Sequence, residues 1–177
     1  MAGPEMERRA ITEMRAAGRR LTGYAARFHA EARIANFIEV IKPGAFADTL
    51  RSNGDILALV DHDTSKVLGR TRSGTLKLIE DARGLEFDLS LPDTQLGRDM
   101  LALAERGDLG GMSFGFRVPA GGETWEGKAK RTLTRVDLAE ISVVQAWPAY
   151  DATTVQARTK ATINRAAYMR MVTESFR

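Results

Sequence analysis

The sequence contains no cysteine and only two histidines, His29 and His62. Disulfides, thiolate-ligated zinc and a cysteine nucleophile are therefore excluded. No apolar run approaches the roughly 20 residues that a membrane-spanning helix needs. The opening residues Met1-Ala2-Gly3-Pro4-Glu5-Met6-Glu7 lack the apolar core of a signal peptide, so a cytoplasmic location is expected. Internal repeats and low-complexity stretches are also missing.

What remains is a chain of 177 residues, 44% hydrophobic and 28% charged, which is the composition of an ordinary globular protein. The length suits one domain over 21–150, with an N-terminal arm over 1–20 and a C-terminal tail over 151–177. The formal net charge of +3 invites a nucleic-acid reading. The excess is confined to the ends. Residues 1–20 hold five Arg against three Glu, and residues 151–177 hold five Lys/Arg against two acids. The middle of the chain carries 16 basic and 18 acidic residues. A nucleic-acid binder concentrates its basic charge on the folded face, so neither a nucleic-acid nor a membrane partner is expected.

The apolar pattern predicts a mainly β (α+β) domain with two or three helices. Strands are expected at Leu21–Ala25, at Ile38–Ile41 and over the continuous apolar run Ile56–Val60, which ends abruptly at Asp61-His62-Asp63. Leu85, Phe87, Leu89 and Leu91 alternate with polar residues, as in a strand buried on one face. Pro43 suits the first turn of a short helix running to Leu50. Asp93 and Thr94 are good N-caps for a second helix, with Leu96, Met100 and Leu103 on its buried face and Gly107 as its C-cap. A long hairpin follows, with Met112, Phe114, Phe116 and Val118 alternating and return strands from about Arg131 to Val144. Trp147, Pro148 and Tyr150 are read as strand-end packing. Residues 1–20 are read as a frayed helix or loose arm, and 151–177 as a polar connector with a marginal helix.

Three residues stand out chemically. Gly111-Met112-Ser113-Phe114-Gly115 matches the G-x-S-x-G string. The nucleophile elbow of α/β-hydrolases needs a strand before the serine, a helix after it and a histidine downstream. Here a helix precedes, strand alternation follows, and both histidines are upstream, so that fold is excluded. A serine at a strand start remains, among glycines that let a substrate backbone approach. His62, at the end of a buried strand, is placed to act as a general base. Asp61 and Asp63 flank it, but consecutive strand residues point to opposite faces, so the triplet is a poor metal site. The flanking aspartates are also too near in sequence to reach the ring easily. Glu140, on the inward face with Val136 and Leu138, needs a partner for its carboxylate. That partner is either an imidazole or a structural arginine. His29 is read as a loop residue without a role.

Taken together, several strings resemble the prohead protease family of tailed phages, found also in prophages and gene transfer agents. They are Leu21-Thr22-Gly23-Tyr24-Ala25, Val40-Ile41-Lys42-Pro43-Gly44-Ala45-Phe46, Asp61-His62-Asp63, Val67-Leu68-Gly69-Arg70-Thr71, Gly74-Thr75-Leu76, Leu91-Pro92-Asp93-Thr94, Gly111-Met112-Ser113-Phe114-Gly115-Phe116, Asp137-Leu138-Ala139-Glu140-Ile141-Ser142-Val143 and Pro148-Ala149-Tyr150. They keep one order over roughly 21–155.

The resemblance implies a fold similar to herpesvirus assemblin, a β-barrel core with surrounding helices. It implies catalytic Ser113 and His62, with Glu140 as the acidic third member. No cofactor or metal is implied. The implied substrates are the major capsid protein or its scaffolding segment and the protease itself, cut inside the assembling prohead in the bacterial cytoplasm. A homo-oligomer is a candidate state, and self-cleavage a candidate fate of the end segments. Asp61 departs from the pattern, which has a neutral polar residue before the histidine. Two other readings stay open: a non-catalytic assembly factor and a small-molecule serine esterase.

Overall fold

The computed structural model describes residues 5–11, 13–52 and 54–146. Among them are thirteen strands and two helices. The first strands are β1 (Glu7–Ile11), β2 (Met14–Ala17), β3 (Arg20–Arg27), β4 (Ala32–Ile34) and β5 (Phe37–Ile41), followed by helix α1 (Ala47–Arg51). Next come β6 (Leu57–Val60), β7 (Asp63–Arg70), β8 (Leu76–Glu80), β9 (Gly84–Ser90) and helix α2 (Gln95–Arg106). The last are β10 (Gly111–Arg117), β11 (Glu123–Glu126), β12 (Lys130–Leu133) and β13 (Asp137–Val144). The expected mainly-β class is what the chain adopts. The strands form three open sheets, ordered β1-β10-β13-β6-β7, β11-β12-β5-β4 and β2-β3-β9-β8, and none of these closes into a barrel.

The local signals explain much of this. In β9, Leu85, Phe87 and Leu89 are buried, as their alternation requires. Helix α2 begins where Thr94 accepts a hydrogen bond from the Gly97 N–H at 3.2 Å. It ends where Gly107 takes φ 76°, a left-handed C-cap. Met100 points from α2 into the core, with Leu96 and Leu103 packed at its margin. The core itself gathers Leu21, Phe46, Phe87, Leu89, Phe114 and Phe116. The Phe46 ring meets Phe114 edge-on, centroids 5.8 Å apart. The first helix is shorter than expected. Residues 43–46 form turns, with the Glu80 carboxylate accepting from the N–H groups of Gly44 and Phe46. Within α1, Thr49 Oγ1 donates to the Val136 carbonyl and accepts from the Leu138 N–H, which fixes the entry of β13.

The N-terminal residues correct the sequence reading. Instead of a frayed helix or loose arm, they supply β1, paired antiparallel to β10, and β2, paired antiparallel to β3. The reason is tertiary. Arg9 of β1 is 6% exposed and makes two hydrogen bonds to Glu39 of β5, at 2.6 and 2.7 Å. Arg131 of β12 joins the same Glu39 and also Glu7 and Glu123. Charges that read as an exposed arm are paired inside, and they tie β1 to the second sheet. The stretch Trp147–Tyr150 and the tail 151–177 lie outside the described residues.

Candidate active site

The site is built on β13, at the centre of the five-stranded sheet. Strand β10 runs antiparallel to it on one side, with Ser113 opposite Ser142 and Gly115 opposite Glu140. Residues facing each other in such a pair project to the same face. Ser113, Gly115, Glu140 and Ser142 therefore share one face. On the other side β6 runs parallel to β13, with Val60 level with Val143. His62 arrives two residues later, where the chain turns.

A turn after the buried strand was expected there, but not a two-residue hairpin. Val60 pairs with Asp63, so Asp61 and His62 are the two central residues of a tight β6–β7 hairpin. Their φ angles are 50° and 61°. Positive φ at both positions is the pattern of a type I′ turn, which favours Asn or Asp first and Gly second. Asp61 therefore occupies a position that Asn would fill equally well. His62 occupies one where glycine is preferred, and a side chain there costs about 1–2 kcal/mol. Backbone strain of this kind gathers at functional sites.

The turn throws the imidazole back over β13. Its Nδ1 lies 2.6 Å from Glu140 Oε1. The other carboxylate oxygen, Oε2, accepts from Ser142 Oγ at 2.6 Å. Ser142 Oγ in turn accepts from the His62 backbone N–H at 3.2 Å. Of the two partners open to Glu140, the imidazole is the one present. The carboxylate held by arginines is Glu39 instead. Neither flanking aspartate is hydrogen-bonded to the ring among the described contacts. Asp61 Oδ1 accepts from the Gln145 N–H. Asp63 accepts from the hydroxyl and N–H of Ser65, which with Lys66 hold its carboxyl below the usual range.

Ser113 is 2% exposed. Among the described contacts its hydroxyl donates to the Arg9 carbonyl of β1 at 2.7 Å. His62 and Glu140 are thus joined directly, while Ser113 stands one strand away with its hydroxyl turned to β1. Catalytic hydrogen bonds are often long or unformed without substrate and tighten when it binds.

Gly115 does not serve the role first read for it. The space it leaves holds the Glu140 carboxylate, since a Cβ there would lie 2.3 Å from Oε1. Sequence reasoning missed Ser142. Its signal was available, as it sits two residues beyond Glu140 and so on the same face.

A hydroxyl and a buried carboxylate on adjacent strands, with an imidazole on the turn beside them, form the set of groups that serine hydrolases use. The family model for caudovirus prohead serine proteases matches residues 5–167, and the chain belongs to that family. The match spans all three candidate residues. No curated protein and no solved structure matches the chain. Among the described residues, no helix is long and apolar enough to cross a membrane.

Proposed function

We propose that the chain is a serine endopeptidase that cuts scaffold or capsid-protein segments during prohead maturation, and itself. Membership of the prohead protease family supports the general role and a place inside the assembling capsid in the host cytoplasm. The observation that carries the residue assignment is the 2.6 Å contact between His62 Nδ1 and Glu140 Oε1, on the face that Ser113 shares.

Glu140 fixes the ring, so that Nδ1 carries the proton and Nε2 is the free base. For attack, Ser113 Oγ leaves the Arg9 carbonyl and turns toward Nε2. The imidazole takes the hydroxyl proton as Oγ bonds to the peptide carbonyl carbon. Glu140 stabilises the cation that forms. The same proton then passes to the departing amine as the peptide C–N bond breaks. Water repeats the sequence on the acyl-enzyme and releases Ser113. Backbone N–H groups in the glycine-rich segments near Ser113 are the candidates to hold the oxyanion.

The non-catalytic assembly factor is the second reading, and the engaged, buried Ser113 hydroxyl favours it. Coexpression with the capsid protein separates the two. The expected result is processed capsid protein with wild type and full-length protein with Ser113→Ala. Equal processing by both would end the protease assignment. Mass spectrometry of the purified enzyme after prolonged incubation tests self-cleavage, for which a shortened chain is expected only when Ser113 is present. A protein that turns over simple esters and leaves protein substrates intact would be an esterase.

A further inference from the structure

Ser142 is fully buried, carries neither the nucleophile nor the base, and still has both sides of its hydroxyl engaged within the site. Its proton goes to Glu140 Oε2 at 2.6 Å, and its lone pair receives the His62 N–H at 3.2 Å. A serine hydroxyl has one proton to give, so this geometry uses its donor completely. The two partners differ in kind. One is the carboxylate that orients the imidazole. The other is the backbone of the imidazole's own residue.

We infer that Ser142 is a positioning residue that sets where the His62 ring meets Glu140. The inference rests on the catalytic reading above and deepens it. Two features make such a residue necessary. A glutamate side chain has three rotatable bonds, and one hydrogen bond from His62 at Oε1 leaves the carboxylate free to pivot about that contact. A second bond at Oε2 stops the pivot. His62 also sits at φ 61° in a turn position that its side chain disfavours. The Asp61 N–H, donating to the Val143 carbonyl at 3.0 Å, and Asp61 Oδ1, accepting from the Gln145 N–H at 2.9 Å, anchor the first residue of the turn. The hydrogen bond from the His62 N–H to Ser142 Oγ anchors the second. Both restraints that Ser142 supplies come from one oxygen, which bridges the His62 backbone and the Glu140 carboxylate. Because β6 and β13 are parallel neighbours, with Val60 level with Val143, the arrangement is also carried by the sheet.

The test reads the His62–Glu140 contact without relying on cleavage. A proton shared between an imidazole Nδ1 and a carboxylate gives a far-downfield NMR resonance. In wild type and in Ser113→Ala that resonance is expected at the same position, since Ser113 is not bonded to either group. In Ser142→Ala it is expected to shift or to broaden by exchange with water, while melting shows a folded protein. Cleavage by Ser142→Ala is expected to fall about tenfold to a hundredfold in kcat with KM little changed, the scale of one hydrogen bond to a charged group. Ser142→Thr, which keeps the hydroxyl, is expected to restore both readouts. Should Ser142→Ala fail to fold, Ser142→Cys takes its place, with a donor too weak to hold the carboxylate, and is expected to shift the resonance.

An unmoved resonance in the variant that folds would overturn the role of Ser142. So would a fall in kcat that Ser142→Thr does not restore. Cleavage by Ser113→Ala would instead overturn the nucleophile assignment and leave the resonance test standing.

Discussion

The Gly115 backbone lies so close to Glu140 that a Cβ added to it would come within 2.3 Å of Oε1, the same oxygen that meets His62 Nδ1. The absence of a side chain at 115 is therefore a condition for the imidazole–carboxylate contact. The atom in the way is the end of a side chain and not backbone, so Gly115→Ala is expected to fold and to displace the carboxylate. Displacing a catalytic group by about an ångström costs on the order of a hundredfold in rate. Gly115→Ala is expected to lose at least that much in kcat while its circular dichroism stays like that of wild type. Wild-type kinetics in this variant would mean that Glu140 does not act through His62.

Replacing Glu140 by Gln tests the carboxylate directly. The amide keeps the shape but can present N–H to Nδ1, which favours the tautomer with the proton on the wrong nitrogen. Glu140→Gln is expected to lower kcat on the order of 10⁴-fold, as the matching change does in a serine protease triad. Steady-state cleavage of a capsid-derived peptide measures it.

The strained turn makes a prediction about stability. His62→Gly and His62→Ala both lack the imidazole and differ in their tolerance of positive φ. The Gly variant is expected to be the more stable of the two by about 1 kcal/mol, although glycine is usually the weaker choice. Urea unfolding of both variants measures the difference, and an Ala variant of equal or greater stability would contradict the turn geometry.

Acid stability reports on the buried charges that join β1 to the second sheet. Burial raises the Glu7 carboxyl, but the hydrogen bond and charge of Arg131, helped by Arg9, outweigh it and leave the group below its ordinary value of 4.5. A carboxyl lowered in the folded state adds stability that is present above its unfolded value and is lost as pH falls through the folded one. Wild type is expected to lose stability more steeply than Glu7→Gln as pH drops below 4.5. Near neutral pH the variant is expected to be the less stable protein. Unfolding titrations across that range measure both effects, and parallel curves would remove Glu7 from the account.

Much of this was legible in the residues. Leu85, Phe87 and Leu89 announced β9 by their period, and Thr94 and Gly107 marked both ends of α2. Glu140 was legible because a carboxylate on an apolar face demands a partner. The rest depended on contacts that no local pattern carries. Arg9 and Glu7 look like solvated charges until Glu39 and Arg131 are brought to them from elsewhere in the chain. β7 was not recognised, since most of its first five residues are exposed and it has no apolar alternation. The hairpin at Asp61-His62 was hidden because the pair lacks the glycine that usually marks such a turn. Gly115 was read as room for a substrate because its neighbour across the sheet is 25 residues away in sequence.

The placement of β13 bears on timing during synthesis. Strand β13 is the last of the described strands, and it brings Glu140 and Ser142 into place between β10 and β6. A nascent chain that has already made His62 and Ser113 still lacks the strand that joins them. On the proposed catalytic reading, a chain halted on the ribosome before Asp137 should therefore be inert, and proteins translated beside it should stay uncut until Glu140 and Ser142 have been added.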